Sequence, residues 1–154
     1  MSAEPARVRL RRRAVRVLPV TPERRVLLLH CVTPAAPEAP FWVTAGGGLE
    51  PGEDERAAAV REFWEETSIQ LDPDALVGPL YSEEIEFTWA EFDIVQHQTY
   101  YLVELEQSDV SFEHLEEVEI PTTLGYRWWS VDELRATTEH VLGNQLAVIA
   151  EVLI

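Results

Sequence analysis

A glycine-rich turn leading into an acidic helix constrains this chain more than any other stretch of its sequence. The segment from Gly46 to Ile69 reads GGGLEPGEDERAAAVREFWEETSI. Asp54 is a favourable N-cap residue and the alanines after it are strong helix formers, so we predict a helix from Asp54 to about Thr67. Three of its glutamates are spaced three and four residues apart and therefore share one side of the helix. They are Glu62, Glu65 and Glu66.

The opposite side of the predicted helix is apolar, and we expect it to be buried. Its members are Ala57, Val60, Phe63 and Trp64. On the acidic side, like-charged pairs at this spacing destabilise a helix by about 0.2–0.5 kcal/mol each. A hard divalent cation with oxygen ligands would reverse that penalty. The alternative interpretation is a solvated acidic surface, which is what most runs of charged residues form.

The three glycines before the helix favour the cation over the solvated surface. Gly46, Gly47 and Gly48 permit backbone conformations that are closed to other residues, and they allow the backbone to approach a ligand closely. A glycine turn beside a helix of carboxylates suits a phosphate bridged by a metal ion. We therefore include all three glycines among the candidate substrate-binding residues.

This segment resembles the Nudix box, the signature of the Nudix hydrolases. The pattern has Gly, five residues, Glu, seven residues, Arg-Glu, an apolar residue, any residue, Glu-Glu, any residue, Gly and an apolar residue. Here Gly47 and Glu53 stand at the first two fixed positions, and the run from Arg61 to Thr67 continues the match. Ser68 replaces the family's Gly, and Ile69 closes the pattern.

The resemblance implies an α/β fold, namely an α/β/α sandwich around a central mixed β-sheet. We expect a single domain over residues 1–154, with residues 1–6 as a loose tail. The implied activity is hydrolysis, with Mg²⁺ or Mn²⁺, of a nucleoside diphosphate linked to another moiety. Nucleoside triphosphates, ADP-ribose and nucleotide sugars are substrates of this type. Dimerisation is common in the family, so a homodimer is among the expectations.

The resemblance also assigns roles to individual residues of the box. Glu62, Glu65 and Glu66 become the expected metal ligands, assisted by a backbone carbonyl near Gly47. Arg61 is expected to orient the site by pairing with a carboxylate such as Glu53. Glu65 and Glu66 are counted as catalytic residues together with Arg61.

A carboxylate must also accept the proton of the attacking water, and the sequence leaves its identity open. Glu65 is one candidate, and the acidic segment from Glu113 to Glu119 contains others. In the family a further carboxylate often comes from a loop in this part of the chain, and our candidates there are Glu116 and Glu117. The alternative is a solvated acidic loop with no catalytic role.

Two further substrate-binding candidates, Arg16 and Trp42, lie before the glycines. Six of the twelve arginines fall between Arg7 and Val20, in a stretch with the pattern of a β-strand. An exposed edge strand protected by charge explains them. A guanidinium of Arg13 or Arg16 that contacts a substrate phosphate is the functional alternative. Trp42 belongs to a short predicted strand at residues 41–44.

The net charge of −16 argues against nucleic acids and anionic membranes as partners. It does not exclude nucleotides, because a bound cation changes the local sign of the charge. Cys31 is the single cysteine, so an internal disulfide is excluded, as suits a reducing cytosol. Since no stretch has the apolar length of a membrane span, we expect a soluble, cytoplasmic protein.

The remaining pattern predicts a β-hairpin over residues 80–105, a last strand at residues 126–130 and a final helix at residues 144–153. The proline-containing stretch at residues 33–40 is expected to be a surface loop. Trp128 and Trp129 should point to opposite faces of their strand. Ser68→Gly should raise the melting temperature without changing turnover, because the family's glycine ends the helix in a left-handed conformation.

Two other functions remain compatible with the sequence. A nucleotide-sensing Nudix domain that does not cleave its ligand is the first, although such domains often lose box carboxylates and this chain keeps all of them. A prenyl diphosphate isomerase on the same fold is the second. That chemistry calls for a reactive cysteine in the pocket, and Cys31 is a poor candidate inside its apolar strand.

Overall fold

Stretches rich in Val, Leu and alternating polar residues form seven β-strands in the computed structural model, which describes residues 6–142 and 145–153. Most of the predicted tail and Asn144 lie outside the described residues. The strands are β1 (Val8–Val20), β2 (Arg25–Thr33), β3 (Ala36–Val43), β4 (Ala45–Gly48), β5 (Val77–Trp89), β6 (Phe92–Glu104) and β7 (Thr123–Ser130).

All seven strands belong to one mixed sheet, whose main order is β3-β2-β1-β6-β5. β4 adds to β1 and β7 adds to β2, both antiparallel. β1 and β6 run parallel along their whole length. The predicted hairpin is present as the antiparallel pair β5 and β6. The α/β class with a mixed sheet is therefore confirmed.

Three helices cover the two faces of this sheet: α1 (Glu55–Thr67), α2 (Val131–Ala136) and α3 (Gln145–Leu153). One apolar cluster joins Val15 and Val17 of β1 to Phe63 of α1. A second cluster joins Leu18 of β1 to α2 and α3, for example through Ile149. Alternate residues of β1 thus enter opposite layers, as the period of a strand requires. No helix in the described ranges is long and apolar enough to cross a membrane.

The arginine-rich first strand is not an edge strand, so that expectation was wrong. β1 is the central strand of the main sheet order. Its first half, residues 8–13, consists of exposed residues that continue beyond the β4 pairing and pair with β6. Charge is tolerated in a central strand here because the side chains of residues 8–13 are exposed.

The proline-containing stretch at residues 33–40 was also interpreted wrongly, because most of it belongs to β3. This strand lies at the edge of the sheet, where proline is tolerated since one side makes no ladder hydrogen bonds. Its pairing with β2 shifts between Cys31 and Thr33, which leaves Pro37 and Pro40 in the irregular part. Trp128 and Trp129 do enter opposite clusters, and both side chains are buried.

Helix α1 begins and ends where the sequence predicts. The carboxylate of Asp54 accepts a hydrogen bond from the backbone N–H of Ala57 at 2.8 Å. At the other end Ser68 is left-handed, with φ 64° and ψ 19°, and its N–H donates to the carbonyl of Trp64. The Ser68 hydroxyl donates to the carbonyl of Ser111 at 2.9 Å and lies 2.7 Å from Nδ1 of His114. The serine therefore ties the acidic segment to the helix end, which a glycine could not do.

These hydrogen bonds cancel the gain in stability that the sequence alone predicts for Ser68→Gly. Glycine removes about 1 kcal/mol of left-handed strain, but it forfeits two hydrogen bonds that contribute about 0.5–1.5 kcal/mol each. Ser68→Ala loses the same bonds and keeps the strain. We therefore expect the alanine variant to be less stable than the glycine variant by about 1 kcal/mol in urea unfolding. Equal stability of the two variants would contradict the assignment of strain to this residue.

The start of α2 is fixed by a capping box with two arginines attached to it. Ser130 and Glu133 each bond the other's backbone N–H. The Glu133 carboxylate also accepts from Arg25 at 2.6 Å and from Arg127. The backbone bond from Ser130, followed by the bond from Arg127, lowers the pKa of Glu133 to about 2. This carboxylate therefore stabilises the fold in its charged form.

Glu133→Gln should lower the free energy of unfolding at pH 7 by about 1 kcal/mol, an amount that allows for the partial exposure of the side chain. Because the folded-state pKa is depressed, the parent's advantage exists above the unfolded-chain pKa of about 4.3. It should shrink as the pH falls from there towards about 2. Urea unfolding at pH 7, 4 and 3 measures it. Asp132→Asn, in the same helical turn, is the control, and a constant difference for Glu133→Gln across this range would contradict the account.

Candidate active site

The three consecutive glycines form a strand instead of the predicted turn. β4 pairs with β1 so that Gly46, Gly47 and Gly48 lie opposite Arg16, Val15 and Ala14. A Cβ on Gly46, whose φ is 140°, would lie 2.0 Å from the carbonyl oxygen of Val15. A Cβ on Gly47 would lie 2.6 Å from the Glu62 carboxyl group, and one on Gly48 would lie 2.7 Å from Nη2 of Arg12. At each of the three positions, the space that a side chain would need is therefore filled by another group of the protein.

The free edge of β4 is completed by side chains of α1. The N–H of Gly46 donates to Oε1 of Glu66 at 2.9 Å, and the carbonyl of Gly48 accepts from Nη2 of Arg61 at 3.0 Å. Alternate residues of a strand direct their backbone groups to the same edge, so Gly46 and Gly48 face the helix while Gly47 faces β1. Glu66 and Arg61 thus bond backbone groups on the edge of β4 that does not face β1.

The buried side of α1 differs from the predicted one. It consists of Ala58, Ala59, Phe63, Glu66 and Thr67. Ala57 is exposed, while Val60 and Trp64 are half-buried. Glu66 is 6% exposed although it carries a carboxylate. The acidic side of the helix therefore faces partly towards the sheet, and only Phe63 of the predicted apolar side is fully buried.

Arg61 is bonded to the loop and to the carboxylates of its own helix. Its guanidinium donates from Nε and Nη2 to the two oxygens of Glu53, both at 2.8 Å. Nη1 donates to Glu62 at 3.0 Å and lies 3.4 Å from Glu65. The hydrogen bond from Arg61 is the main reason that the pKa of Glu53 is lowered. Arg61 thereby clamps the loop after β4 onto α1.

Burial leaves the helix carboxylates short of compensating charge. Desolvation raises the pKa of Glu62 to about 7, against the opposing effect of Arg61. For Glu66, burial and then the charges of Glu62 and Glu119 raise the pKa well above its ordinary value. Burial also raises the pKa of Glu65. Desolvated carboxylates crowded in this way favour the neutral form unless a cation joins them.

The donors gathered here fit a hard divalent cation. They are carboxylate and carbonyl oxygens, the ligands preferred by Mg²⁺ and Mn²⁺. Within the described ranges, no three acidic, histidine or cysteine side chains already converge closely enough to hold an ion. Arg61 Nη1 supplies the positive charge between Glu62 and Glu65 in this arrangement. Binding of an ion would therefore require these side chains to turn towards it.

The acidic segment before β7 contributes Glu119 to this environment. The charge of Glu119 raises the pKa values of Glu62 and Glu66, and burial raises its own pKa, followed by the charge of Glu116. Glu119 is half-buried, whereas Glu116 and Glu117 are exposed. One feature of the sequence could have distinguished Glu119 from the other acids of its segment. It directly precedes Ile120-Pro121 and the start of β7, where the strand restricts the position of the chain.

Two predicted substrate-binding residues lie apart from the helix carboxylates. Trp42 is 7% exposed and belongs to the cluster on the α3 side of the sheet, where it stacks on His30 with ring centroids 4.2 Å apart. The guanidinium of Arg16 donates to the carbonyl of Thr44 at 3.1 Å and to Gln98 at 3.3 Å. Arg16 still acts on the site through its charge, which lowers the pKa of Glu66.

Comparison with known proteins places these residues in a family. The family model described as the NUDIX domain matches residues 10–148. An RNA pyrophosphohydrolase of Roseobacter denitrificans is 61% identical over 28 residues, which is 18% of this chain and 18% of that protein. The matched segment thus spans less than a fifth of this curated relative.

Solved structures of low identity share the fold. The dihydroneopterin triphosphate pyrophosphohydrolase of E. coli is 20% identical with a TM-score of 0.68, over 95% of this chain and 97% of that chain. An Ap4A hydrolase of C. elegans is 17% identical with a TM-score of 0.61, over 92% and 94% of the two chains. The fold expected from the box is therefore confirmed. Because the family model covers most of the sequence, the chain belongs to the NUDIX domain family.

Proposed function

We propose that this protein is a metal-dependent hydrolase that cleaves the pyrophosphate linkage of a nucleoside diphosphate joined to another moiety. The observation that carries the proposal is the meeting of the desolvated carboxylates of α1 with the free edge of the glycine strand. The proteins that it resembles include an RNA pyrophosphohydrolase, a dihydroneopterin triphosphate pyrophosphohydrolase and an Ap4A hydrolase. Nudix hydrolases generally depend on divalent cations.

Glu62, Glu65 and Glu66 would hold the cation, with a glycine carbonyl of β4 as a further oxygen ligand. Gly47 is the glycine of the box, but the carbonyl of Gly46 is the better candidate for this ligand, because the backbone groups of Gly46 face the helix. A bound Mg²⁺ or Mn²⁺ would neutralise phosphate charge and increase the acidity of water. Arg61 positions the carboxylates through its bonds to Glu53 and Gly48.

A carboxylate has to accept the proton of the attacking water. Glu65 and the exposed pair Glu116 and Glu117 are the candidates from sequence, and Glu119 joins them because its charge interacts with all three helix carboxylates. Glu119 has the strongest support among the loop acids. Its side chain is half-buried before β7, whereas those of Glu116 and Glu117 are exposed and free to turn into solvent.

The isomerase alternative loses support from the surroundings of Cys31. Burial, followed by the charge of Glu66, raises the pKa of this thiol to about 12. A thiol of that pKa is neutral at physiological pH, and the thiolate is the reactive form. The hydrolase therefore remains the better proposal.

A substrate panel tests the proposed activity. The purified protein is incubated with Mg²⁺ or Mn²⁺ and a nucleoside triphosphate, ADP-ribose, a nucleotide sugar, a dinucleoside polyphosphate or a 5′-triphosphorylated RNA. Products are separated and identified as cleaved phosphoanhydrides. We expect at least one nucleotide to be cleaved only when the metal is present. Binding of nucleotides without product over hours would instead favour the nucleotide-sensing alternative.

Glu66→Gln should abolish the metal-dependent hydrolysis while leaving the fold intact. The amide can still accept the hydrogen bond of Gly46, but it cannot supply the negative charge that a cation needs. Removing a buried charge that repels Glu62 should leave the metal-free protein at least as stable as the parent. Turnover on the substrate found in the panel and urea unfolding without metal measure both effects. Undiminished turnover would remove the proposed role of Glu66.

The loop acid can be identified with single substitutions. Glu119→Gln should lower kcat by about 10²-fold or more, the range for loss of a general base. Glu106→Gln, an exposed acid that precedes the acidic segment, is the control and should match the parent. Glu116→Gln and Glu117→Gln complete the series. A larger loss in either of these than in Glu119→Gln would show that the sequence-based candidates were the correct ones.

A further inference from the structure

The arginines of the first strand differ in their partners. Among residues 7–16, five of the six guanidinium groups have a partner. The pairs are Arg7 with Asp93, Arg9 with Glu86, Arg11 with Glu84, Arg13 with Glu55, and Arg16 with the carbonyl of Thr44. Arg12 is the exception, because none of the described residues gives it a hydrogen-bond acceptor or an ion-pair partner.

Arg12 lies against the glycine strand. A Cβ on Gly48 would come within 2.7 Å of Nη2, 3.0 Å of Cζ and 3.2 Å of Nε of Arg12, so the guanidinium occupies the space that this glycine leaves open. Desolvation, and then the positive charge of Arg16, lower the pKa of Arg12, while the charge of Glu62 opposes them. Its side chain is exposed and has no bonded anion among the described residues, so the guanidinium is open to an anionic ligand.

The location of the Arg12 guanidinium indicates which anion it would bind. Successive residues of a strand have opposite faces, so Glu62 contacts the space of Gly47 on one face of β4 and Arg12 contacts that of Gly48 on the other. A diphosphate placed at the end of β4 would bring anionic oxygens to Arg12. The planar fork of arginine suits two oxygens of one phosphoryl group.

We propose that Arg12 is a phosphate-binding residue of this site, whose guanidinium contacts the diphosphate of the substrate beside Gly48. This assignment rests on the proposed function, because the diphosphate is the ligand that function supplies. It replaces the sequence-based choice between Arg13 and Arg16, both of which have partners within the protein. Arg12 lies outside the box motif, so the motif does not identify it.

Calorimetric titration with inorganic pyrophosphate and Mg²⁺ tests the assignment without relying on turnover. The proteins compared are the parent, Arg12→Gln, Arg12→Lys and the matched control Arg11→Gln. Arg11 is the neighbouring residue, has the opposite side-chain direction in the strand, and makes only an exposed ion pair with Glu84 at 3.8 Å. Thermal unfolding verifies that each variant is folded.

We expect Arg12→Gln to weaken pyrophosphate binding by about tenfold or more, the usual loss for a hydrogen-bonded charge pair. Arg12→Lys keeps the charge without the fork and should lie between Arg12→Gln and the parent. Arg11→Gln should bind within about twofold of the parent, as expected for an exposed pair. On a substrate from the panel, Arg12→Gln should raise KM more than it lowers kcat.

The outcomes separate this assignment from the proposed function. Equal binding by the parent and both Arg12 variants, or an equal loss in Arg11→Gln, would overturn the role of Arg12 alone. Parent binding that is lost in Arg12→Gln, with no substrate hydrolysed, would support Arg12 as a phosphate-binding residue and count against the hydrolase. A parent that binds no pyrophosphate would overturn the assignment together with its premise.

Discussion

The contact between α1 and the free edge of β4 is the interaction on which the site depends. A strand of three glycines leaves backbone groups unpaired along one edge, and the helix satisfies them with Glu66 and Arg61. Because the glycines have no side chains, the helix can approach closely enough for these bonds to form. This close packing of α1 on β4 also buries carboxylates that water would otherwise stabilise. The packing therefore determines both the geometry of the site and its electrostatic cost.

That cost appears as raised pKa values among the acids of the site. Burial raises the pKa values of three helix glutamates, and Glu119 adds a further acid nearby. Within the part of the chain that the structure describes, Arg61 alone bonds directly to more than one of these acids. A ligand that binds the folded state alone adds to its stability by mass action. The cation binding proposed above would therefore stabilise the folded protein.

The sequence predicts those features of this structure that neighbouring residues determine, and it fails for those that contacts between distant segments determine. The N-cap at Asp54 and the left-handed Ser68 follow from local rules, and the structure has both. The burial of Glu66 does not, because a helical wheel shows which residues share a side but not which side meets the sheet. The roles proposed for Arg12 and Glu119 rest on interactions with distant segments. A run of arginines and a run of glutamates contain no signal that separates one member from its neighbours without those contacts.

The consecutive arginines Arg11 to Arg13 have a consequence for how β1 finds its alignment. Sliding β1 by one position against β4 would still present an arginine to Gly48, so charge alone cannot distinguish the correct alignment from its neighbours. The apolar alternation of Val15, Val17 and Leu18 can, because a slip would send each of them to the wrong layer. The apolar residues in one half of the strand therefore determine which arginine of the other half lies beside Gly48.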